Sequence, residues 1–411
     1  DHHLPPQALP PANVICNPRV GGGPCLHLAG VGVAFFVLAA LNNLLAVDTG
    51  KKMDMRRLLD LVALGTLADL VELQGQNRIL VKNGLKVLAD SVRPGIAELK
   101  VSSGYSPSAV LGGGQVVFSL APRINAAGRM ASAQCALKLL RTDNYEEARA
   151  FALKLNEYNT QRRREEDAIC KVAMEEADRH ASDPAFIIAG EDWNQGVIGI
   201  VASRILERYN KPVFVLCRDG ENYKGSGRSI DGFDLHAGLA SCSDDLLSFG
   251  GHSMAAGIRI SPAKLDDFRA HFFDVVRAAI GSEAKLQEQC IDYDLDFRFA
   301  SDFTFLKELE LMQPFGVGNP EPVFASPLLF VRKIRFFGIS RSHALLELTD
   351  EKSKITLKAK AWRQAELFPC SMEGRRIRIA YSPFIDMYNG VASVEVKIRD
   401  WRLEEDDPQA V

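Results

Sequence analysis

The sequence predicts an α/β fold: two α/β lobes joined by a long helix, with a small β-barrel toward the C-terminal end. Three observations carry this. Apolar runs alternate with Gly/Pro punctuation up to about Thr142 and again from Ala185, as they do where helices flank a sheet. Between them, Tyr145 to His180 contains no Gly or Pro and is rich in Glu, Arg, Lys and Ala. After Gly281, strand-like segments recur with turns between them. The chain has 411 residues, 47% hydrophobic and 25% charged, the balance of a globular protein with roughly two to four domains.

In the first lobe, residues 1–142, Val14-Ile15 reads as a short strand. Gly30 to Leu45, Met55 to Leu73 and Gly84 to Asp90 read as helices. The apolar run Leu28 to Leu41 has the length of a buried helix rather than of a membrane span, so no transmembrane segment is expected. The joining helix, residues 143–181, repeats apolar positions at three and four: Phe151, Leu155 and Tyr158, then Ile169, Val172 and Ala173. Its charge run, Arg162 to Asp167, reads as a solvated face.

The second lobe, residues 182–281, opens with strands Ala185–Ala189 and Val213–Leu216 around a helix from Gly196 to Tyr209. A turn-rich piece (Lys224–Phe233), a glycine-rich segment (Phe249–Gly257) and an amphipathic helix (Leu265–Ile280) complete it. In residues 282–411 the strands are Leu328–Arg335, His343–Thr349, Ile355–Trp362, Arg376–Ala380 and Val391–Ile398. Five strands with turns suggest an OB-fold.

Charge and cysteine use narrow the function. Lys plus Arg is 49 and Asp plus Glu is 52, a net charge of −3. No chain-wide basic field is available, so any grip on nucleic acid is local. Between Arg332 and Arg402, 15 basic residues face 8 acidic ones. A basic barrel with exposed aromatics suits a single strand; a packing or oligomerisation barrel is the bland alternative. Eight dispersed cysteines without a Cys-x-x-Cys pair read as reduced and cytoplasmic. Cys16, Cys25 and His27 lack the spacing of a zinc knuckle.

Several segments carry candidate chemistry. In Asp1-His2-His3, imidazoles suit Mn, Zn or Fe and the carboxylate can fix a ring. On an extended segment the two histidines point to opposite sides, one to a metal and one to substrate. The prolines of Leu4-Pro5-Pro6 and Leu9-Pro10 make a rigid loop directly after the histidines. Asp69 lies in an apolar helical run after Gly65-Thr66, where a carboxylate is costly unless a cation meets it; an ordinary helix-end carboxylate is the alternative. Arg123, Asn125 and Arg129 stand among small residues that let a polyanion approach. Ser226, Arg228 and Ser229 read as a phosphate nest, and His252 sits in a glycine turn. Asp292, Asp294 and Asp296 share one strand face and read as solvated.

Together these motifs resemble the DHH phosphoesterase family and, within it, the RecJ branch of single-strand-specific DNA exonucleases. Asp1-His2-His3 looks like the family's name motif and Gly65-Thr66-Leu67-Ala68-Asp69 like its later aspartate motif. Arg123 to Arg129 is similar to the branch's Asn-Ala-Ala-Gly-Arg segment. Ser226-Gly227-Arg228-Ser229 and Gly250 to Gly257 resemble a DHHA1 domain, and Gln313 to Pro322 resembles the segment leading into the branch's OB-fold.

The resemblance implies a partial DHH domain (1–142), a connecting helix (143–181), a DHHA1 domain (182–281) and an OB-fold (282–411). It implies 5′→3′ hydrolysis of single-stranded DNA in recombination and repair with two Mn²⁺ or Mg²⁺ ions. His2 and Asp69 are then metal ligands, Asp1 and His3 catalytic groups, and Arg123, Asn125, Arg129, Ser226, Arg228, Ser229 and His252 phosphate contacts. A single-strand-binding protein and a helicase are the implied partners, with no membrane. The family's Asp-x-Asp motif stands upstream of its DHH segment, so the chain is expected to be N-terminally truncated and inactive alone. Asn194 stands where relatives usually carry His. Two other readings are a catalytically dead single-strand binder and a DHH phosphatase of short oligonucleotides.

Overall fold

The computed structural model describes residues 1–5, 8–20, 22–23, 25–90, 93–281, 288–338, 341–386 and 392–404; Pro6 of the expected proline loop lies outside them. The chain divides into two compact units. One comprises Asp1–Leu85, Gly112–Gly114 and Glu288–Val411; the other comprises Lys86–Leu111 and Gln115–Gln287.

The first unit begins with helices α1 (Gly30–Thr49) and α2 (Leu59–Ala68) and the start of α3 (Gly75–Ala89). Asp54 accepts the Arg56 backbone N–H and so caps the 3₁₀ turn that runs into α2. Glycines set the helix contacts. A Cβ at Gly65 would stand 2.9 Å from Val31 Cγ1, and one at Gly84 would stand 2.2 Å from the Leu59 carbonyl oxygen.

Three expectations for this segment are corrected. Val14-Ile15 forms no strand, because no described segment pairs with it; the first strand in chain order is Phe186–Gly190. The predicted Met55–Leu73 helix stops at Ala68, since Leu70 takes φ +55° and turns the chain. The α1 helix is not a buried one: it buries only Gly32, while Phe36, Val37, Leu38, Leu41, Leu44, Leu45 and Val47 are exposed. Being apolar all round, it can present only one side to a neighbour. By length and composition α1 also meets the requirement for crossing a membrane.

The rest of this unit is a closed barrel. Short helices α12 (Phe297–Ala300) and α13 (Phe303–Leu311), capped by Asp296 and Asp302, precede most of it. Its strands are β6 (Tyr293–Asp294), β7 (Phe324–Ala325), β8 (Leu329–Phe337), β9 (His343–Asp350), β10 (Ile355–Ala361), β11 (Arg376–Asp386) and β12 (Ser393–Leu403). The order is β12-β10-β9-β8-β11-β7-β6, and the additional β11–β12 pairing closes β8 to β12 into a five-stranded ring, with β7 and β6 attached to β11 outside it. Period-two alternation directs Ala344, Leu346 and Leu348 inward with Val331, Phe368, Ile377, Tyr381 and Val396. Each fully buried Leu or Phe there contributes about 1.5–3 kcal/mol. Asp292 and Asp294 are exposed, as the sequence predicts, but Asp296 lies beyond the strand, half-buried as the N-cap of α12.

A loop between α13 and β7 ties the barrel to the helices within this unit. Asn319 Nδ2 donates to the Met312 and Pro314 carbonyls at 3.0 and 2.8 Å and so shapes the loop. The loop then receives the chain beyond Asp69: Leu73 N donates to Val317 O at 2.7 Å and Gln74 Nε2 to Gly318 O at 2.9 Å. Gly316 is required by this packing, as a Cβ would lie 2.7 Å from Leu73 Cδ1.

The second unit contains α4 (Pro94–Ser102), the short α5 (Gly113–Gln115) at its border, α6 (Ala121–Met130), α7 (Gln134–Arg141) and the 35-residue α8 (Tyr145–Arg179). Asn144 caps α8 by accepting the Glu146 and Glu147 N–H groups. One end of α8 packs on α4, α6 and α7 and the other on a sheet. That sheet has the order β1-β2-β3-β5-β4, from β1 (Phe186–Gly190), β2 (Val213–Asp219), β3 (Asn222–Arg228), β4 (Ser248–Gly251) and β5 (Ala255–Ile260). Only β1–β2 is parallel. One face packs on α8 and α9 (Ile198–Tyr209) through Phe186, Ile188, Val213 and Val215. The other packs Ile187, Phe214 and Leu216 beneath α10 (Leu235–Ser241) and α11 (Leu265–Ile280).

The charge run on α8 is not a solvated face throughout. Glu166 is 3% exposed, accepts Arg162 Nη1 at 2.6 Å and pairs with Arg204 of α9, which also reaches Asp167 at 3.1 Å. Burial is tolerated because both carboxylate oxygens meet guanidinium groups.

Candidate metal and phosphate sites

In the first unit, Asp1 makes a tight N-terminal turn: its Oδ1 accepts the backbone N–H of His2 at 2.8 Å and of His3 at 3.3 Å. It also meets His3 Nδ1 at 2.7 Å. The two imidazoles therefore do not point to opposite sides; their centroids lie 4.3 Å apart. The alternation expected of a strand fails because this segment turns instead of extending. His2 packs against Gly30, where a Cβ would touch its ring at 3.5 Å.

Asp69 ends α2 as its C-cap, half-exposed, and its Oδ2 lies 3.2 Å from His2 Nε2. This differs from a carboxylate embedded in an apolar helix. The cost here comes from the helix dipole, whose negative end repels a carboxylate and favours a cation. Burial pulls the His2 imidazole below its ordinary value, opposed by the Asp69 charge. An imidazole nitrogen and a carboxylate oxygen so placed are within reach of one divalent ion, a donor pair that suits Mn²⁺. Among the described residues no group of three or more His, Cys, Asp or Glu side chains comes together in metal-binding geometry. His27 instead faces Glu72 at 3.5 Å.

Sequence reasoning missed two residues that hold this turn. Asn17 Nδ2 donates to His3 O at 2.9 Å and Arg19 Nε to His2 O at 3.0 Å. The only signal was the turn-forming pair Asn17-Pro18.

In the second unit, Ser226 and Arg228 alternate along β3 on the face that carries α9. The β3 N–H and C=O groups pair with β2 and β5, so here only side chains are open to a ligand. The strand's glycines answer to the core, since a Cβ at Gly227 would lie 2.3 Å from the Phe214 ring. Arg228 donates to Ser203 Oγ at 3.2 Å, Ser226 Oγ at 3.2 Å and Gly227 O at 2.7 Å. Burial, then the Arg129 charge, lowers its pKa. Gly199, at the start of α9, leaves room over this group: a Cβ there would stand 3.0 Å from Ser226 Oγ and 3.1 Å from Arg228 Nη2. A half-buried cation beside two hydroxyls is a site for an oxyanion. Gly199 and Ser203 were legible only as helix residues.

The other expected contacts separate. Arg129, exposed on α6, donates to Gly196 O at 2.8 Å, and Asn125 is exposed on the same helix. Exposed His252 lies in the β4–β5 turn, at the end of the sheet where Arg228 pairs with Ala255. Arg123 commits its guanidinium to Asn156 Oδ1, Ser119 O and Ser102 O. Ser229, 1% exposed, donates to Phe233 O at 2.7 Å and is removed from the phosphate contacts. Asn194, the departure noted in the sequence, donates to Glu165 Oε2 and accepts the Gly196 N–H, both at 2.8 Å.

Family models match two stretches of the chain. The DHHA1 domain matches residues 183–278 and the RecJ OB domain residues 291–400. The single-stranded-DNA-specific exonuclease RecJ of Haemophilus influenzae is 34% identical over 97% of this chain, which covers 72% of that protein. The chain belongs to the RecJ family. RecJ of Bacillus subtilis is 33% identical over 98% of the chain, which spans 50% of that protein's length. The crystal structure of Thermus thermophilus RecJ in complex with Mn²⁺ matches with a TM-score of 0.80 and 32% identity. It covers 98% of this chain, and the chain covers 57% of it. The same RecJ in complex with Mg²⁺ gives 0.76 at 32% identity, over 94% of this chain and 57% of that one.

Proposed function

We propose that this RecJ-family chain contributes to a 5′→3′ single-stranded-DNA exonuclease that hydrolyses phosphodiesters with two Mn²⁺ or Mg²⁺ ions. The observation that carries the reading is the 3.2 Å approach of His2 Nε2 to Asp69 Oδ2. These two residues would hold a divalent ion, which when bound supplies charge stabilisation and activation of water. Asp1 orients His3 through the 2.7 Å contact, leaving the imidazole exposed to move a proton. Ser226 and Arg228 hold a phosphate, supported by the hydroxyl and guanidinium groups gathered at Gly199. Arg129, Asn125 and His252 are added strand contacts, whereas Arg123 braces the helices. The proposed setting is DNA recombination and repair in the cytoplasm, alongside a single-strand-binding protein and a helicase.

The test is Mn²⁺-dependent shortening of a single strand from its 5′ end, with Asp69→Asn as the comparison. Equal shortening by both proteins would overturn the role of Asp69. A second reading, a single-strand binder without hydrolysis, is favoured by one observation: among the described residues His2 and Asp69 gain no third metal-binding side chain. Binding of the strand without shortening supports that reading.

A further inference from the structure

The loop from β1 to α9, residues 191–197, carries an amide to which the hydrolytic reading assigns no part. Trp193 pins this loop to β1: its indole lies over Gly190, where a Cβ would stand 2.2 Å from Cδ2. Asn194 then sits between two neighbours of opposite character. Its Oδ1 accepts the Gly196 N–H at 2.8 Å, and its Nδ2 donates to Glu165 Oε2 of α8 at 2.8 Å. A backbone N–H only donates and a carboxylate only accepts, so residue 194 must present an acceptor and a donor side by side. The other carboxylate oxygen, Oε1, accepts Gln161 Nε2 at 2.9 Å, which holds Glu165 as a fixed target.

What this pair fixes is the backbone of Gly196, and Gly196 holds Arg129. The Gly196 carbonyl accepts Arg129 Nη1 at 2.8 Å. The end of α6 rests on the same residue, since a Cβ on Gly196 would stand 2.5 Å from the Arg129 carbonyl oxygen. A guanidinium is a planar fork, so anchoring one N–H restricts where the others aim. Arg129 is exposed, and among the described residues no carboxylate pairs with it. It is also near enough to Arg228 for its charge to matter there: burial first, and Arg129 second, lower the pKa of that guanidinium.

We propose that Glu165 and Asn194 are positioning residues, which through the Gly196 peptide hold the Arg129 guanidinium in place for a phosphate of single-stranded DNA. The inference rests on the reading of Arg129 as a strand contact and adds the groups that aim it. Both act through Arg129 rather than on the strand.

Asn194→Asp isolates the effect. An aspartate keeps the acceptor for the Gly196 N–H, loses the donor and sets a second carboxylate against Glu165. Adding Glu165→Gln reverses the bond, because the glutamine amide donates to the aspartate, and it returns the total charge to that of the parent.

The experiment measures binding of a labelled oligothymidine by anisotropy to the 411-residue chain over a series of salt concentrations, with divalent ions removed so that no strand is cut. Asn194→Asp weakens binding about two- to tenfold and lowers the slope of log affinity against log salt, as Arg129→Ala does. Glu165→Gln in the same chain restores both. In a chain already carrying Arg129→Ala, Asn194→Asp has no further effect. Parent-like binding by Asn194→Asp alongside a loss in Arg129→Ala overturns the proposal alone. So does a loss that Glu165→Gln leaves unrepaired, or one that persists in full without Arg129. Parent-like binding by Arg129→Ala, or no strand binding by the parent, overturns the strand-contact reading and this proposal with it.

Discussion

The imidazole of His2 meets the carboxylate of Asp69 at 3.2 Å, where the negative end of helix α2 stops. Asn17 and Arg19 fix the histidine side by binding its flanking carbonyls. Removing a group that merely orients a metal ligand costs about 10–100-fold in affinity. Asp69→Ala is therefore expected to weaken Mn²⁺ binding by at least that factor, and Asn17→Ala to fall within it. Calorimetric titration of Mn²⁺ checks both; unchanged affinity in Asp69→Ala removes the residue from the site.

Arg228 lies against Ser203 and Ser226. Arg228→Ala should weaken binding of all single strands alike and reduce the slope of log affinity against log salt by about one. Affinities at a series of salt concentrations measure it. A loss confined to particular sequences contradicts a phosphate contact.

Gly199→Ala probes the same place without removing a charge. The new Cβ meets flexible side-chain ends at 3.0 and 3.1 Å, so the fold should tolerate it while the space over Arg228 closes. Thermal stability near that of the parent with weaker strand binding is the expected pair of results.

Glu166 neutralises two arginines that reach it from α8 and α9. Glu166→Ala leaves both cations beside an uncharged void, and breaking a buried pair this way costs about 3–5 kcal/mol. Denaturant unfolding should show this loss, while Glu165→Ala, on the more exposed side, should lose less.

His343 provides a pH dependence. Burial, then the Arg363 charge, holds its imidazole below 6.5. A group depressed on folding contributes stability in full above its unfolded value and loses it as pH falls through the folded one. The chain should therefore destabilise on acidification below about pH 6.5, and His343→Phe should flatten that part of the profile. Melting temperatures across this pH range decide it.

Local pattern made much of the fold legible. The absence of Gly and Pro gave α8 within a residue of its ends, and strand-like segments separated by turns located five barrel strands. What stayed hidden depends on partners remote in sequence. Nothing around Leu70 announces a left-handed residue, because the turn is set by Val317 and Gly318, more than two hundred positions away. The glycines of β3 resembled a phosphate nest because Phe214 and Ile258, which exclude a Cβ, lie on other strands. At the candidate sites, residue types singled out His2, Asp69 and Arg228, and the fold sets His2 beside Asp69 and Arg228 beside Ser203 and Ser226. Ser229 was misread because a serine beside an arginine looks the same whether its hydroxyl faces solvent or the Phe233 carbonyl.

The backbone bond from Leu73 to Val317 and the side-chain bond from Gln74 to Gly318 lie four and five residues beyond Asp69. Trimming the chain before Gln313 would thus do more than discard a barrel. It would leave the aspartate's own tether without its anchor, so the barrel cannot be treated as a detachable accessory whose loss leaves Asp69 in place.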